Sequence, residues 1–247
     1  MAFDAQSYHK PILAEKCFQF LNVRQGGIYV DCTAGGGGHS ALILEKLSGK
    51  GKLLAFDKDD DAIRFCAKRF EGCGSVELIK SDFKNAARFL AEKGLKPDGI
   101  LMDLGISSHQ IDEKSRGFSY MSRDSALDMR MDRTQSLTAK EILNEYDERK
   151  IFEIVRDYGE EKFASKIAKN IVAFRTVQPI ETTGQLNDII DASIPLSVRK
   201  KGGHPAKRTY QALRIAVNGE LDGLGEAIKE LALSLRAGGR MVVLSFH

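Results

Sequence analysis

Ile28-Tyr29-Val30-Asp31-Cys32-Thr33-Ala34-Gly35-Gly36-Gly37-Gly38-His39-Ser40 is the segment from which the architecture of the chain can be worked out. Its first four residues are apolar or β-favouring and end in Asp31, which reads as a buried strand. The four glycines then turn the chain into a helix starting near His39. Glycine lacks a Cβ, so the backbone there can approach a ligand closely, and the N–H groups of a helix start favour electron-rich groups. A strand, a glycine loop and a helix start in that order make a nucleotide cradle.

The loop is not a phosphate-binding P-loop, because no Gly-Lys-Ser/Thr follows, and it lacks the strict G-x-G-x-x-G of dinucleotide sites. Asp31, Gly35 and Gly37 give instead acidic-x-x-x-Gly-x-Gly, the spacing of S-adenosylmethionine (SAM) loops, with Gly38 and His39 opening the helix. The alternative is a merely tight βα turn. Downstream, a strand over Lys52 to Phe56 ends in Asp57, twenty residues beyond Gly37, where a carboxylate accepts hydrogen bonds from ribose hydroxyls. Asp59, Asp60 and Asp61 read as capping charge on the next helix. A third strand, Val76 to Ile79, leads to Asp82 and Phe83, where an aromatic can stack on a purine or simply join the core. A fourth, Gly99 to Met102, ends in Asp103-Leu104-Gly105, with Gln110 a turn further on. Four βα units with functional groups at every carboxyl end describe an open parallel sheet whose ligand crevice lies outside those ends.

From Asp112 to Ala206 the βα rhythm stops and only helical signals remain. These are capping boxes at Thr138-x-x-Glu141 and Thr182-x-x-Gln185, and a helix over Glu160 to Arg175 with Phe163, Ile167, Ile171 and Phe174 inward. Its other face carries Lys162, Lys166 and Lys169, either a solvated face or an RNA-facing stripe. The segment Leu196 to Arg214 holds Arg199, Lys200, Lys201, Lys207, Arg208 and Arg214 without an acidic residue, and predicts a polyanionic partner. One long helix is expected from Thr209 through Leu221 to Leu235, and a fifth strand over Met241 to Phe246 resumes the sheet. The predicted class is therefore α/β, Rossmann-like. Residues 1–111 and 207–247 form a discontinuous sheet domain and 112–206 an all-helical insert, with the sheet cut short at its carboxyl-terminal end.

Composition bounds the partners. A net charge of +3 over 247 residues is close to neutral, so the distribution of charge, not its total, carries the argument for nucleic acid. Cys17, Cys32, Cys66 and Cys73 stand singly without C-x-x-C, so neither a metal site nor a disulfide framework is expected. No basic leader and no apolar run long enough for a membrane span is present, which makes a reducing cytoplasm the expected setting and a membrane partner unexpected.

These residues together resemble the bacterial small-subunit ribosomal RNA cytidine-N4 methyltransferases of the RsmH (MraW) family. The likeness runs from His9-Lys10-Pro11 and the glycine stretch through Asp103-Leu104-Gly105 to Gln110, Arg116-Gly117-Phe118-Ser119 and Leu127-Asp128-Met129-Arg130-Met131-Asp132. It continues through Tyr158-Gly159-Glu160-Glu161, His204-Pro205-Ala206 to Asn218, and Ser245-Phe246-His247. Ser125-Ala126 departs from the family's usual small residue and proline, and the family continues beyond Ser-Phe-His. The resemblance implies a SAM-dependent enzyme acting on 16S rRNA in its decoding region, within the small ribosomal subunit. It implies SAM contacts at Gly37, Gly38, His39, Asp57, Phe83, Asp103 and Gln110. Asp103 is the candidate acceptor for an N–H of the target amine; Phe118 and Tyr120 either stack on an extruded base or belong to the core of the insert. Two other classes share parts of this pattern: a nicotinamide-dependent oxidoreductase and a non-catalytic RNA-binding assembly factor. Titration with SAM and NAD separates them.

Overall fold

A computed structural model describes residues 11–200 and 203–245. In chain order it contains α1 (Ala14–Leu21), β1 (Ile28–Asp31), α2 (Gly38–Leu47), β2 (Lys52–Asp57), α3 (Asp60–Arg69), β3 (Val76–Lys80), α4 (Ala86–Glu92) and β4 (Gly99–Leu104). There follow α5 (Ser108–Asp112), α6 (Ala139–Glu145), α7 (Glu148–Asp157), α8 (Ala164–Arg175) and α9 (Thr183–Ser193). The chain closes with α10 (Leu196–Arg199), α11 (Lys207–Asn218), α12 (Leu224–Ser234) and β5 (Arg240–Ser245). It divides into two compact units, Met1–Ser107 with Gly223–His247 and Ser108–Asp222.

The first unit is an α/β layer built on one parallel sheet of order β3-β2-β1-β4-β5. Its central strands are apolar at consecutive positions because both faces are covered. Successive side chains alternate between two cores. Tyr29, Leu53, Ala55 and Leu101 pack with Cys17 and Leu21 of α1, Ile43 and Leu47 of α2, and Cys66 of α3. Val30, Leu54, Phe56, Ile100 and Met102 pack with Ala86 and Leu90 of α4 and Leu231 of α12. Phe56, fully buried and edge-on to Phe89 at 5.5 Å, contributes about 2–3 kcal/mol by burial alone. The strand order reverses between β1 and β4, so their carboxyl ends flank the crevice of an open sheet. Two bonds hold those ends together: Cys32 N–H donates to Leu101 O at 2.8 Å, and Asp103 N–H to Thr33 Oγ1 at 2.8 Å.

The second unit is helical. Both expected capping boxes form, Thr138 with Glu141 at the start of α6 and Thr182 with Gln185 at the start of α9. Its limits lie at Ser108 and Asp222, outside the 112 and 206 expected from the sequence. The long helix expected from Thr209 to Leu235 is two helices. Gly219, in the left-handed region at φ +54°, ends α11 in the helical unit, and α12 starts afresh in the sheet unit. The reason is amphipathicity: Tyr210, Leu213 and Val217 of α11 are buried against α6 and α7, whereas Leu231, Leu224 and Ile228 of α12 pack on the sheet core, and Leu221 between them is exposed. Within this unit the 116–132 loop is held by two buried polar side chains. Arg116, with no exposed surface, donates through Nη2 to Arg130 O at 2.8 Å and Met131 O at 3.2 Å. Asn218 accepts from Met131 N–H at 2.7 Å and donates to Met129 O at 2.7 Å.

Candidate functional site

The candidates of the sheet unit sit where β1, β2, β3 and β4 end, four strands adjacent in the sheet. Asp31 closes β1 and is wholly buried. It accepts Ser40 Oγ–H at 2.6 Å and Thr33 N–H at 3.1 Å, tying the strand to the first turn of α2. Burial pushes its carboxyl above the ordinary range, and the Ser40 bond draws it back. Asp31 is thus a structural clasp beneath the loop.

Gly35 and Gly37 both occupy the left-handed region, at φ +50° and +71°. A Cβ on Gly37 would stand 2.9 Å from the Phe70 ring and 3.1 Å from Cys66 Sγ, so α3 beneath the loop, not a ligand, excludes a side chain there. The Gly37 N–H is also used, donating to Ala34 O at 2.7 Å. Gly38 faces Pro11, 3.3 Å from where its Cβ would be. At Gly35 such a Cβ would stand 3.8 Å from Ser107 Cβ and 4.0 Å from Thr33 O, an ordinary contact, so the left-handed backbone and not crowding favours glycine there. Helix α2 has no side-chain cap, and the N–H groups of its first turn are left as donors for an electron-rich ligand.

Asp57 closes β2. Its Oδ2 accepts Gly35 N–H at 2.8 Å and its Oδ1 accepts Asp59 N–H at 2.8 Å. Burial pushes the carboxyl up to about 6 against the pull of those two bonds. Each oxygen keeps a free lone pair, which suits a pair of neighbouring hydroxyls. Asp59 caps α3 by accepting Asp61 N–H at 3.0 Å, as its position implies. Beyond β3, Phe83 is half-buried and packs on the core that contains Phe56 and Met102, so it serves the core while part of it stays accessible. Asp82 beside it caps the turn Phe83–Asn85 through Lys84 N–H at 3.0 Å and lies 3.5 Å from Lys58 Nζ.

Asp103, near the end of β4, meets His39 from α2: Nδ1 lies 3.7 Å from Asp103 Oδ2, and Nε2 lies 3.3 Å from Ile12 O. An Nε2–H tautomer aims its proton at the Ile12 carbonyl, and an Nδ1–H tautomer aims it at the Asp103 carboxylate. Burial pushes the Asp103 carboxyl up, and the His39 charge pulls it down. His39 is 6% exposed and the Asp103 side chain 27%, so the pair is reached from the aspartate side. The sequence points to both residues, but only the sheet order shows that they touch.

The remaining candidates belong to the helical unit. Gln110, on α5, is 5% exposed. Phe118 is 7% exposed, its ring 5.7 Å from the buried Arg116 guanidinium; the core alternative holds for it, and it offers no face to a base. Tyr120 is half-buried between two rings, stacked on His204 at 4.4 Å and edge-on to Tyr210 at 5.9 Å. The basic segment separates into two groups. Arg199 pairs with Asp191 at 3.4 Å, and Arg214 is bidentate to Glu220 at 2.8 and 3.0 Å, so neither is the free surface cation the sequence suggests. Lys200, Lys207 and Arg208 are exposed, Arg208 also donating to Glu160 O at 3.0 Å. Lys201 lies outside the described residues, as do His9, Lys10, Phe246 and His247. Lys162, Lys166 and Lys169 are exposed beside α8 and on it. No helix among the described residues is long and apolar enough to cross a membrane, and no group of three His, Cys, Asp or Glu among them could hold a metal ion.

The profile of the family described as "MraW methylase family" matches residues 6–247. The chain is 50% identical over 242 residues to "Ribosomal RNA small subunit methyltransferase H" of Symbiobacterium thermophilum, covering 97% of this chain and 76% of the relative. It is 50% identical over 243 residues to the protein of the same name from Heliobacterium modesticaldum, covering 97% and 77%. The relative of that name from Lachnospira eligens is 48% identical over 249 residues, covering 100% and 79%.

Proposed function

The chain belongs to the MraW methylase family, and we propose on that premise that it methylates the exocyclic N4 amine of a cytidine in the decoding region of 16S rRNA, within the small ribosomal subunit. S-adenosylmethionine is the methyl donor. The strand tips fit its adenosyl group: the uncapped first turn of α2 offers N–H donors, the half-free carboxylate of Asp57 suits ribose hydroxyls, and part of Phe83 is accessible to a ring. Gly35, Gly37, Gly38, His39, Asp57, Phe83, Asp103 and Gln110 remain the residues assigned to it.

The observation that carries the reading is the His39–Asp103 pair at the tip of β4. The amine of cytosine is a weak nucleophile because its lone pair is delocalised into the ring. A carboxylate accepting one N–H turns that lone pair out of conjugation, and after methylation the nitrogen has one proton to lose. Asp103 receives the hydrogen bond and then the proton. His39, with Nδ1 turned to Asp103 Oδ2 at 3.7 Å, holds the carboxylate in place until the amine arrives. The helical unit supplies the RNA contacts through Lys200, Lys207 and Arg208.

Asp103→Asn keeps the shape and one acceptor oxygen but removes the negative charge and the group that takes the proton. With labelled donor and isolated small subunits, turnover is expected to fall by roughly 10²–10⁴-fold. Unchanged turnover would remove Asp103 from the reaction. Calorimetric titration separates the other two classes: binding of NAD in place of S-adenosylmethionine supports an oxidoreductase, and binding of neither supports an assembly factor.

A further inference from the structure

The exposed ring of the helical unit is His204, not Phe118 or Tyr120, and it is held as few surface histidines are. Its Nδ1 accepts the N–H of Ala206 at 3.2 Å, which fixes χ angles and tautomer together and leaves the ring proton on Nε2. One face is covered by Tyr120 at 4.4 Å and an interplanar angle of 25°. Tyr120 is backed in turn: Asn187 Nδ2 donates to its carbonyl at 2.9 Å, and Tyr210, 3% exposed, meets it edge-on while donating its own hydroxyl to Thr183 O at 3.1 Å. The three rings form a short column, buried at Tyr210 and open to solvent at His204. Lys207 and Arg208, on the turn that starts α11 immediately after His204, are exposed, and so is Lys200 before it.

We propose that the outer face of His204 is a stacking platform for one unpaired base of single-stranded RNA, with Lys200, Lys207 and Arg208 holding the flanking phosphates. The inference rests on the RNA reading above and names a base-binding position within it. The ring is ordered before any base arrives. A free surface histidine would lose rotamer freedom when a base landed on it, whereas this ring is already immobilised by a backbone bond and a stacked tyrosine, so stacking meets little entropic opposition. Nearby cations attract the backbone without reading sequence, and a π-face accepts any base. An unstacked base in single-stranded RNA is the ligand that combines both demands.

The test uses the full chain and two fluorescent probes of equal length, an oligouridylate and its abasic analogue. His204→Leu keeps bulk but no π-face, and is expected to weaken oligouridylate binding by roughly tenfold or more. Its effect on the abasic probe should be under twofold, and neither the log–log salt slope nor SAM affinity should change. His204→Phe restores oligouridylate affinity. The platform is overturned if His204→Leu binds oligouridylate like wild type, if both probes weaken equally, or if His204→Phe is as weak as His204→Leu. Failure of the wild-type chain to bind either probe at low salt removes the RNA reading and the platform with it. Unchanged binding by His204→Leu removes the platform alone.

Discussion

Asp57 should make the unliganded protein less stable at neutral pH than in mild acid, against the usual behaviour of a hydrogen-bonded carboxylate. Its carboxyl is pushed from an ordinary 3.8 up to about 6 by burial. A carboxyl whose pKa is higher folded than unfolded holds its proton more tightly when folded. Folding is therefore favoured at low pH, and the advantage is lost as pH rises from the unfolded value through about 6. The full gap of about two units corresponds to about 3 kcal/mol, of which about 2 kcal/mol falls between roughly pH 4.5 and pH 7. Other groups titrate over the same range, so the measurement is a difference. Urea unfolding of wild type and Asp57→Asn, without donor, is compared at both pH values. Asparagine loses one of the two backbone bonds from Gly35 and Asp59, a penalty that does not depend on pH and cancels. Wild type should lose about 2 kcal/mol relative to Asp57→Asn on going to neutral pH. A change of opposite sign would mean that the two N–H donors outweigh desolvation, and would refute the argument.

Other outcomes follow from the same geometry. Ribose hydroxyls donate to the ionised form of Asp57, so affinity for S-adenosylmethionine should tighten as pH rises through about 6, by up to about tenfold per unit below it; equilibrium dialysis giving a flat profile from about pH 5 to 7.5 would contradict this. Replacing Lys200 and Lys207 by glutamine should flatten the log–log salt dependence of single-stranded RNA binding by about 0.7 for each phosphate left without its cation, read by fluorescence anisotropy. Asn218→Ala leaves the buried Met131 N–H and Met129 carbonyl without the partners that Asn218 gives them, and should destabilise by about 2–4 kcal/mol in urea titration.

The sheet was legible because its central strands are unbroken apolar runs, each closed by an aspartate or a glycine. Such runs, alternating with helical spacing, leave few alternatives to parallel βα units. The capping boxes were legible because each is complete within four residues. What the sequence hid is contact across the fold. His39 and Asp103 meet only because β4 lies beside β1. Arg199 and Arg214 read as free cations until their carboxylate partners, Asp191 and Glu220, are seen folded back on them. Phe118 carries the same spacing signal as an exposed ring, and its burial beside Arg116 depends on a loop that periodicity does not reach. The α11–α12 break was hidden because Gly219 interrupts two amphipathic runs of similar period that turn toward different cores.

Gly37 and Asp57 would part company in a descendant that no longer handled a methyl donor. The glycine answers to Phe70 and Cys66 underneath it, so purifying selection on folding alone would preserve it. The aspartate is held in the fold only by its bonds from the Gly35 and Asp59 N–H groups, which asparagine could half replace, so selection for its charge would lapse once its ligand was gone. Among distant homologues, an intact glycine loop is therefore poor testimony to retained catalysis, and the residue at the tip of β2 is the better witness.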